Sequence, residues 1–154
     1  MNAIFKKLNY KDQDKIYIMN APKSFDKETD EMLTIAALKT SLTSTKEVGF
    51  FLGFVTTQKE VDDLTKKVAP LIKGDGLLWF AYPKGSSKKY KCEFNRDNGW
   101  SELGKHGFEP VRMVAIDEDW SALRFRKAEN IKTMTRSSAI SETGKKRVAA
   151  KKAK

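Results

Sequence analysis

The sequence is poor in the residues from which metal centres and catalytic triads are built. Its one cysteine, Cys92, cannot form a disulfide within the chain, and a zinc site made of several cysteines is excluded. Its one histidine, His106, leaves a histidine-rich metal site or a triad without a second imidazole. We therefore predict no metal and no catalytic residues, and the lone thiol favours a reducing, cytoplasmic compartment.

Long apolar runs are missing as well. No stretch approaches the roughly 20 residues that a membrane-spanning helix requires. The first ten residues, MNAIFKKLNY, have no apolar core of the length found in signal peptides. We therefore expect an intracellular protein without a membrane partner.

Acidic residues are outnumbered, with 30 Lys and Arg against 20 Asp and Glu and a net charge of +10. A balance of this kind favours acidic partners such as nucleic acid. The excess is densest after Ser137, where SETGKKRVAAKKAK has no apolar periodicity. We predict a domain over residues 1–130 and a flexible basic tail over 131–154. Its candidate contacts with nucleic acid or another polyanion are Lys145, Lys146, Arg147, Lys151, Lys152 and Lys154.

The stretch from Thr57 to Lys84 predicts a capped helix followed by a buried strand. Thr57 and Glu60 have the spacing of a capping box, and apolar residues then recur every three or four positions. Pro70 ends the helix, and Gly74 and Gly76 are expected to form a turn. The strand 77–82 that follows is apolar on both faces, which is typical of a central parallel strand covered by helices.

The remaining patterns predict an alternation of helices and strands. Short helices are expected over 3–8 and 25–32, the latter capped by Ser24, and a further helix within 95–105 that ends before Gly107. Strands are expected over 16–19, 34–38, 48–55, 111–116 and, half exposed, 121–126. This order predicts an α/β fold, a three-layer sandwich whose mainly parallel sheet ends in a C-terminal antiparallel hairpin.

Two segments carry a resemblance to a known fold. LIKGDGLLWFAYPK resembles the segment of class I methyltransferases in which a helix passes through a glycine turn into a strand, and VRMVAIDEDWSALRFRK resembles their terminal hairpin. More closely, YIMNAP, LLWFAYPKG and AIDEDWSALRF resemble a small bacterial family of uncharacterised proteins with a truncated, Rossmann-like methyltransferase fold. The resemblance spans residues 4–127 and implies the fold, but no settled activity.

The loop after the first predicted strand departs from the cofactor-binding versions of this fold. Those versions place glycines there so that the backbone can approach the ligand. This chain has Asn20, Ala21, Pro22, Lys23 and Ser24 instead, and no glycine between Met1 and Val48. Lys39 or its neighbours replace the acidic residue that usually binds ribose. We therefore predict no S-adenosylmethionine site and no cofactor.

Single reactive residues are better explained by structure than by chemistry. His106 stands before Gly107 as a helix-end residue, and Cys92 has no base beside it in the sequence. The acidic run 117–119 suits a hairpin turn more than a cation site, and Trp79 lies within a buried strand.

Three functional hypotheses remain open. The first is a non-catalytic α/β domain whose basic tail has weak affinity for acidic partners. The second is a protein that binds an anionic ligand or nucleotide, or a divergent transferase, with a crevice at the C-terminal ends of the parallel strands. The third is a non-specific nucleic-acid-associated protein that acts through its tail. The crevice would be lined by Asn20, Lys23, Thr56, Tyr82, Lys84, Lys88 and Lys89.

Overall fold

Six strands form one mixed sheet in the computed structural model of the chain, which describes residues 2–95, 97–131, 140–141, 144–146 and 148. In chain order the elements are α1 (Ala3–Lys7), β1 (Lys15–Met19), α2 (Asp26–Met32), β2 (Ala37–Lys39), β3 (Val48–Phe54), α3 (Gln58–Val68), β4 (Ile72–Pro83), α4 (Ser101–Lys105), β5 (Phe108–Ala115) and β6 (Trp120–Lys127). None of the helices in these ranges has the length and apolar character needed to cross a membrane.

The strands lie in the order β2-β1-β3-β4-β6-β5. The first four are mutually parallel, and β6 is antiparallel to both of its neighbours, β4 and β5. The predicted fold class is confirmed, including the antiparallel hairpin at the end of a parallel sheet. The doubly apolar strands β3 and β4 are central because both of their faces are covered.

Each face of the sheet has its own apolar core. One core joins the sheet to α1 and α2 and contains Phe5, Phe25 and Trp79. The other joins it to α3 and α4 and contains Val61, Leu103 and Phe80. The indole nitrogen of Trp79, fully buried, donates to the carbonyl of Leu8 at 3.0 Å, which fixes the end of α1 against the sheet.

Helix α3 begins where the capping box predicts. The hydroxyl of Thr57 accepts from the amide of Glu60, and one carboxylate oxygen of Glu60 accepts from the amides of Thr56 and Thr57. Val61 and Val68 turn inward and Lys66 and Lys67 outward, as their spacing predicts. The helix therefore carries the chain from the end of β3 to the start of β4.

Three local predictions are wrong. Gly74 and Gly76 do not form a turn before β4, because the strand begins at Ile72, which pairs with Val48. Gly74 instead takes a left-handed φ of 57° within an irregular start of the strand. Ser24 does not cap α2, because a 3₁₀ turn over 23–25 precedes that helix. The strand expected over 34–38 begins at Ala37, since the chain still turns after α2.

The predicted basic tail falls mostly outside the described residues. Two described residues within it, Ile140 and Ser141, pack around the carboxylate of Glu109 at the start of β5. Glu109 is 1% exposed and accepts from the backbone amides of Ile140, at 3.0 Å, and Ser141. The amide of Gly144 donates to the hydroxyl of Ser141. These contacts tie Ile140 and Ser141 to the edge of the folded domain.

Candidate functional site

The predicted ligand residues lie at one end of the parallel strands but are divided among separate clefts. Tyr82 and Lys84 line a cleft at the end of β4, which we call the β4 cleft. Asn20 lines a second one between β1 and α3, the β1 cleft. Lys88 and Lys89 line a third, the loop cleft. Lys23 and Thr56 are not among the lining residues of these three clefts.

The β4 cleft has a volume of 690 Å³ and lies between the end of β4, the loop 84–95 and the hairpin. Aromatic rings form much of its wall. The ring centroids of Tyr82 and Phe94 are 6.2 Å apart, and Phe94 contacts Trp100 at 4.9 Å. On the other side, the Tyr90 ring contacts Trp120 at 4.9 Å. Because each ring packs on another, the wall is held in place before any ligand arrives.

The loop that closes the β4 cleft is pinned at several points. The amide of Lys84 donates to the carbonyl of Asp119 at 2.8 Å, and the Ser87 hydroxyl donates to the Asp119 carboxylate at 2.8 Å. The amide of Tyr90 donates to the Ser87 hydroxyl. The amide of Glu93 donates to the carbonyl of Thr56 at the end of β3. The loop PKGSSKK has the composition of a flexible segment, but these hydrogen bonds attach it to the turn of the hairpin.

Charge in the β4 cleft is of one sign. Lys84 and Lys91 are the cations among its described lining residues, and no carboxylate is among them. The hydroxyl of Tyr82 donates to the thioether of Met113 at 3.4 Å. The wall at Met113 is therefore lined by a polarisable sulfur atom. Burial raises the pKa of the Cys92 thiol, and the charges of Glu93 and Glu60 add to this. The thiol is therefore protonated near neutral pH.

The β1 cleft differs in both size and charge. Its volume is 340 Å³, and Glu60 and Asp63 line it against a single cation, Lys67. Glu60 is already engaged, because one of its oxygens accepts four hydrogen bonds from Thr56 and Thr57. Burial raises the pKa of Glu60, but these bonds outweigh it and hold the pKa below the usual range. An ionised carboxylate at this position disfavours an anionic ligand.

The loop cleft, of 600 Å³, has mixed charge. Lys88 and Lys89 line it together with Glu118 and Asp119, so two cations are accompanied by two carboxylates. Lys84, Lys88 and Lys89 follow one another closely in the sequence, but Lys84 belongs to a different cleft from the other two. The three lysines therefore do not form one described site.

The residues weighed for other chemistry lie elsewhere or are engaged. His106 follows α4, at the opposite end of β5 from the β4 cleft, and its Nε2 lies 3.2 Å from the Glu102 carboxylate. Over the described ranges, no group of three potential metal ligands occurs. Lys145 and Lys146 are exposed. Arg147, Lys151, Lys152 and Lys154 lie outside the residues that the structure describes.

Apart from Tyr82 and Lys84, the lining of the β4 cleft was not predicted from the sequence, and the missed residues include Tyr90, Lys91, Phe94 and Met113. The alternation of Tyr90, Cys92 and Phe94 with Lys91 and Glu93 in KYKCEFN does not predict this wall, because Tyr90 packs against the core on one face of the sheet and Phe94 belongs to the core on the other. Nothing local marks Met113, because its place in the wall depends on the pairing of the hairpin with β4.

Comparison with known proteins yields only distant likenesses. No protein-family model and no curated protein matches the chain. It is similar to a Sulfolobus solfataricus chain assigned to the type 11 methyltransferases, with 10% identity and a TM-score of 0.46 over 79% of this chain and 73% of that one. It is also similar to ribosomal protein L11 methylase from Lactobacillus delbrueckii subsp. bulgaricus, with 11% identity and a TM-score of 0.44 over 73% of this chain and 58% of that one. Likenesses this distant do not say what the present chain binds.

Proposed function

We propose that the chain is a binding protein for a planar, anionic small molecule of the nucleotide class, which it takes in the β4 cleft. The observation that carries the proposal is the combination of aromatic walls with cations and no carboxylate among the described lining residues. A cleft of 690 Å³ lies within the range found for small-molecule sites, which is about 300 to 1,000 Å³.

The walls favour a flat ligand. Tyr90 is partly exposed and offers a ring on which a planar heterocycle can stack, whereas Tyr82 and Phe94 are buried and contribute only small exposed parts of their rings. Their packing on Trp100 and Trp120 lowers the entropy lost on binding, because the rings are already ordered.

The cations favour an anionic group on that ligand. Lys84 lies at the point where β4 ends, and Lys91 lies between two of the aromatic residues in sequence. Ammonium groups beside a partly apolar wall attract phosphate or carboxylate more strongly than they would in open water. The β1 cleft lacks this preference because Glu60 and Asp63 line it.

Binding without catalysis is the simpler function for this site. A nucleophilic role for Cys92 would require a lowered thiol pKa and a neighbouring base. Burial raises the pKa of Cys92 instead, and the imidazole of His106 lies beyond the other end of β5. The reactive groups are therefore poorly suited to covalent chemistry, whereas the walls and charges suit recognition.

Thermal unfolding in the presence of nucleoside monophosphates, with the uncharged nucleosides as their counterparts, tests the proposal. A ligand at about 100 times its dissociation constant adds about 2.7 kcal/mol to the free energy of unfolding. For a domain of this size that raises Tm by about 5 to 10 °C. The nucleosides should have a much smaller effect, because they cannot engage Lys84 and Lys91.

Two variants make the test specific. Lys84→Gln with Lys91→Gln should abolish the stabilisation, whereas Lys66→Gln with Lys67→Gln removes the same charge from the surface of α3 and should preserve it. As an independent readout, bound nucleotide should slow alkylation of Cys92, the only thiol, because Cys92 lines the cleft. Equal stabilisation of both variants, or no protection of the thiol, would show that the β4 cleft is not the site.

A further inference from the structure

We infer that the outer face of the hairpin is a second anion-binding surface, formed by Arg112 and Arg124 with support from Arg126, and that it binds the phosphodiester backbone of nucleic acid. The inference does not rest on the β4 cleft. The three residues line none of the clefts described above, and they lie on β5 and β6 rather than in the basic tail.

The three guanidinium groups share one face of the sheet. Arg112 is directly opposite Arg124 in the register of β5 and β6, and Arg126 is two residues beyond Arg124 on the same strand. Residues that are directly opposite, or two apart along one strand, point to the same side. Arg124 is also opposite Trp79 of β4, so the cations continue the face that α1 and α2 cover further along the sheet.

This arrangement is electrostatically unfavourable in the absence of a ligand. Like charges directly opposite each other in an antiparallel pair destabilise a sheet. The side chain of Arg124 is only 13% exposed, and burial, reinforced by Arg126 and Arg112, lowers its pKa despite the opposing effect of Asp75. Its Nε is buried and has no hydrogen-bond partner among the described residues. A desolvated guanidinium next to a second cation would be stabilised by an oxyanion at its exposed side.

One carboxylate offsets part of the charge and leaves an excess. Asp75, at the start of β4, accepts from Arg126 Nε at 2.9 Å and lies 3.8 Å from a terminal nitrogen of Arg124. The guanidinium of Arg126 therefore has its hydrogen-bond partner within the protein, and its main role is to hold the Asp75 carboxylate in place. Three cations against one anion leave two positive charges, which fall to Arg112 and Arg124.

A polynucleotide suits this surface better than a single small anion does. Two cations on neighbouring strands can meet separate phosphates and release the counterions condensed on them. Guanidinium groups also bind phosphate oxygens with two parallel hydrogen bonds, a geometry that lysine cannot match. Contacts of this kind are made to the phosphodiester backbone of the nucleic acid and not to its bases, so we expect little preference for base sequence.

A salt titration of binding to a short labelled DNA duplex of arbitrary sequence tests the inference. The logarithm of the affinity falls linearly with the logarithm of the salt concentration, and each phosphate contact contributes about −0.9 to that slope. Arg112→Gln with Arg124→Gln, which keeps the Arg126–Asp75 pair, should therefore reduce the magnitude of this negative slope by about 1.8. Lys66→Gln with Lys67→Gln removes equal charge from α3, on the other face, and should leave the slope unchanged.

Two further variants control for misfolding and for binding through other surfaces. Arg112 is exposed, so Arg112→Gln alone should leave the fold intact, and it should reduce the magnitude of the slope by about 0.9. Replacing the six candidate cations from Lys145 to Lys154 by glutamine, with Ile140, Ser141 and Val148 kept, should leave the effect of the arginine pair intact. The inference is wrong if both double variants weaken binding equally, or if the tail variant alone abolishes it. It is also wrong if inorganic pyrophosphate stabilises the wild type through these arginines while duplex binding is unaffected by the double variant.

Discussion

Replacing Glu60 by glutamine tests whether the start of α3 depends on an ionised carboxylate. One oxygen of Glu60 accepts from the amides of Thr56 and Thr57, at 3.0 and 3.1 Å, and from both threonine hydroxyls. Glutamine is nearly the same size and keeps an acceptor oxygen, so the substitution removes the charge and little else. The change therefore isolates the electrostatic part of the capping box.

The expected loss follows from two contributions. A negative charge in the first turn of a helix stabilises it by about 0.3 to 1 kcal/mol. Hydrogen bonds to a charged acceptor are stronger than neutral ones by about 1 kcal/mol. We therefore expect Glu60→Gln to lower the free energy of unfolding by about 1 to 2 kcal/mol at neutral pH. For a domain of this size, Tm should fall by about 2 to 8 °C.

The loss should depend on pH in a defined direction. The pKa of Glu60 in the folded protein is below its usual range, so the folded state favours the ionised form. Its contribution is therefore present above the pKa of the unfolded chain and disappears as pH falls through the folded pKa. The difference in stability between the wild type and Glu60→Gln should be largest at neutral pH and should shrink towards zero in acid.

Urea unfolding followed by circular dichroism from pH 7 downwards measures this difference. Asp63→Asn is a suitable control on the same helix, because its partner Lys59 is 85% exposed and solvent screens such a pair. A Glu60→Gln protein as stable as the wild type at pH 7, or a deficit that persists unchanged in acid, would refute the role of the charge.

Three other outcomes can be checked separately. Iodoacetamide should alkylate Cys92 slowly at neutral pH and faster at higher pH, as followed by mass spectrometry, since burial raises the thiol pKa; rapid labelling at pH 7 would contradict this. Trp79→Phe should lower the free energy of unfolding by about 2 kcal/mol, because it leaves a cavity and removes the hydrogen bond to the Leu8 carbonyl. Hydrogen exchange should show the loss of protection in α1. Gly104→Ala would place a Cβ 2.4 Å from the carbonyl oxygen of Ile140, so trypsin should cleave after Lys145 and Lys146 sooner than in the wild type; an unchanged cleavage rate would show that the contact is dispensable.

Sequence reasoning located the elements whose patterns are local. The capping box at Thr57 and Glu60 identified α3, and the alternation of Leu123 and Phe125 with arginines identified the half-exposed strand β6. It misplaced the start of β4, because the pairing of Ile72 with Val48 lies 24 positions apart in the sequence and leaves no local trace. Glycine is equally consistent with a turn and with an irregular strand, so Gly74 could not decide between them.

The candidate sites were harder to predict than the fold, because they are assembled from distant segments. Lys84, Lys88 and Lys89 are near one another in sequence, but contacts between Ser87 and Asp119 fold the loop so that Lys84 faces a different cleft. Arg112 and Arg124 are brought together only by the register of the hairpin. Charge patterns along the chain therefore identified cations, but not the neighbours that neutralise them or leave them unbalanced.

The position of β6 between β4 and β5 has a consequence for how the chain emerges from the ribosome. Until residue 127 has been made, β4 has a partner only on its β3 side, and its other edge offers unpaired amides and carbonyls. Exposed strand edges of this kind pair readily with other chains. A nascent chain that stalls before Trp120 would therefore carry an open, apolar edge at the centre of its future sheet. Among the described strands, the last to be synthesised is the one that covers this edge.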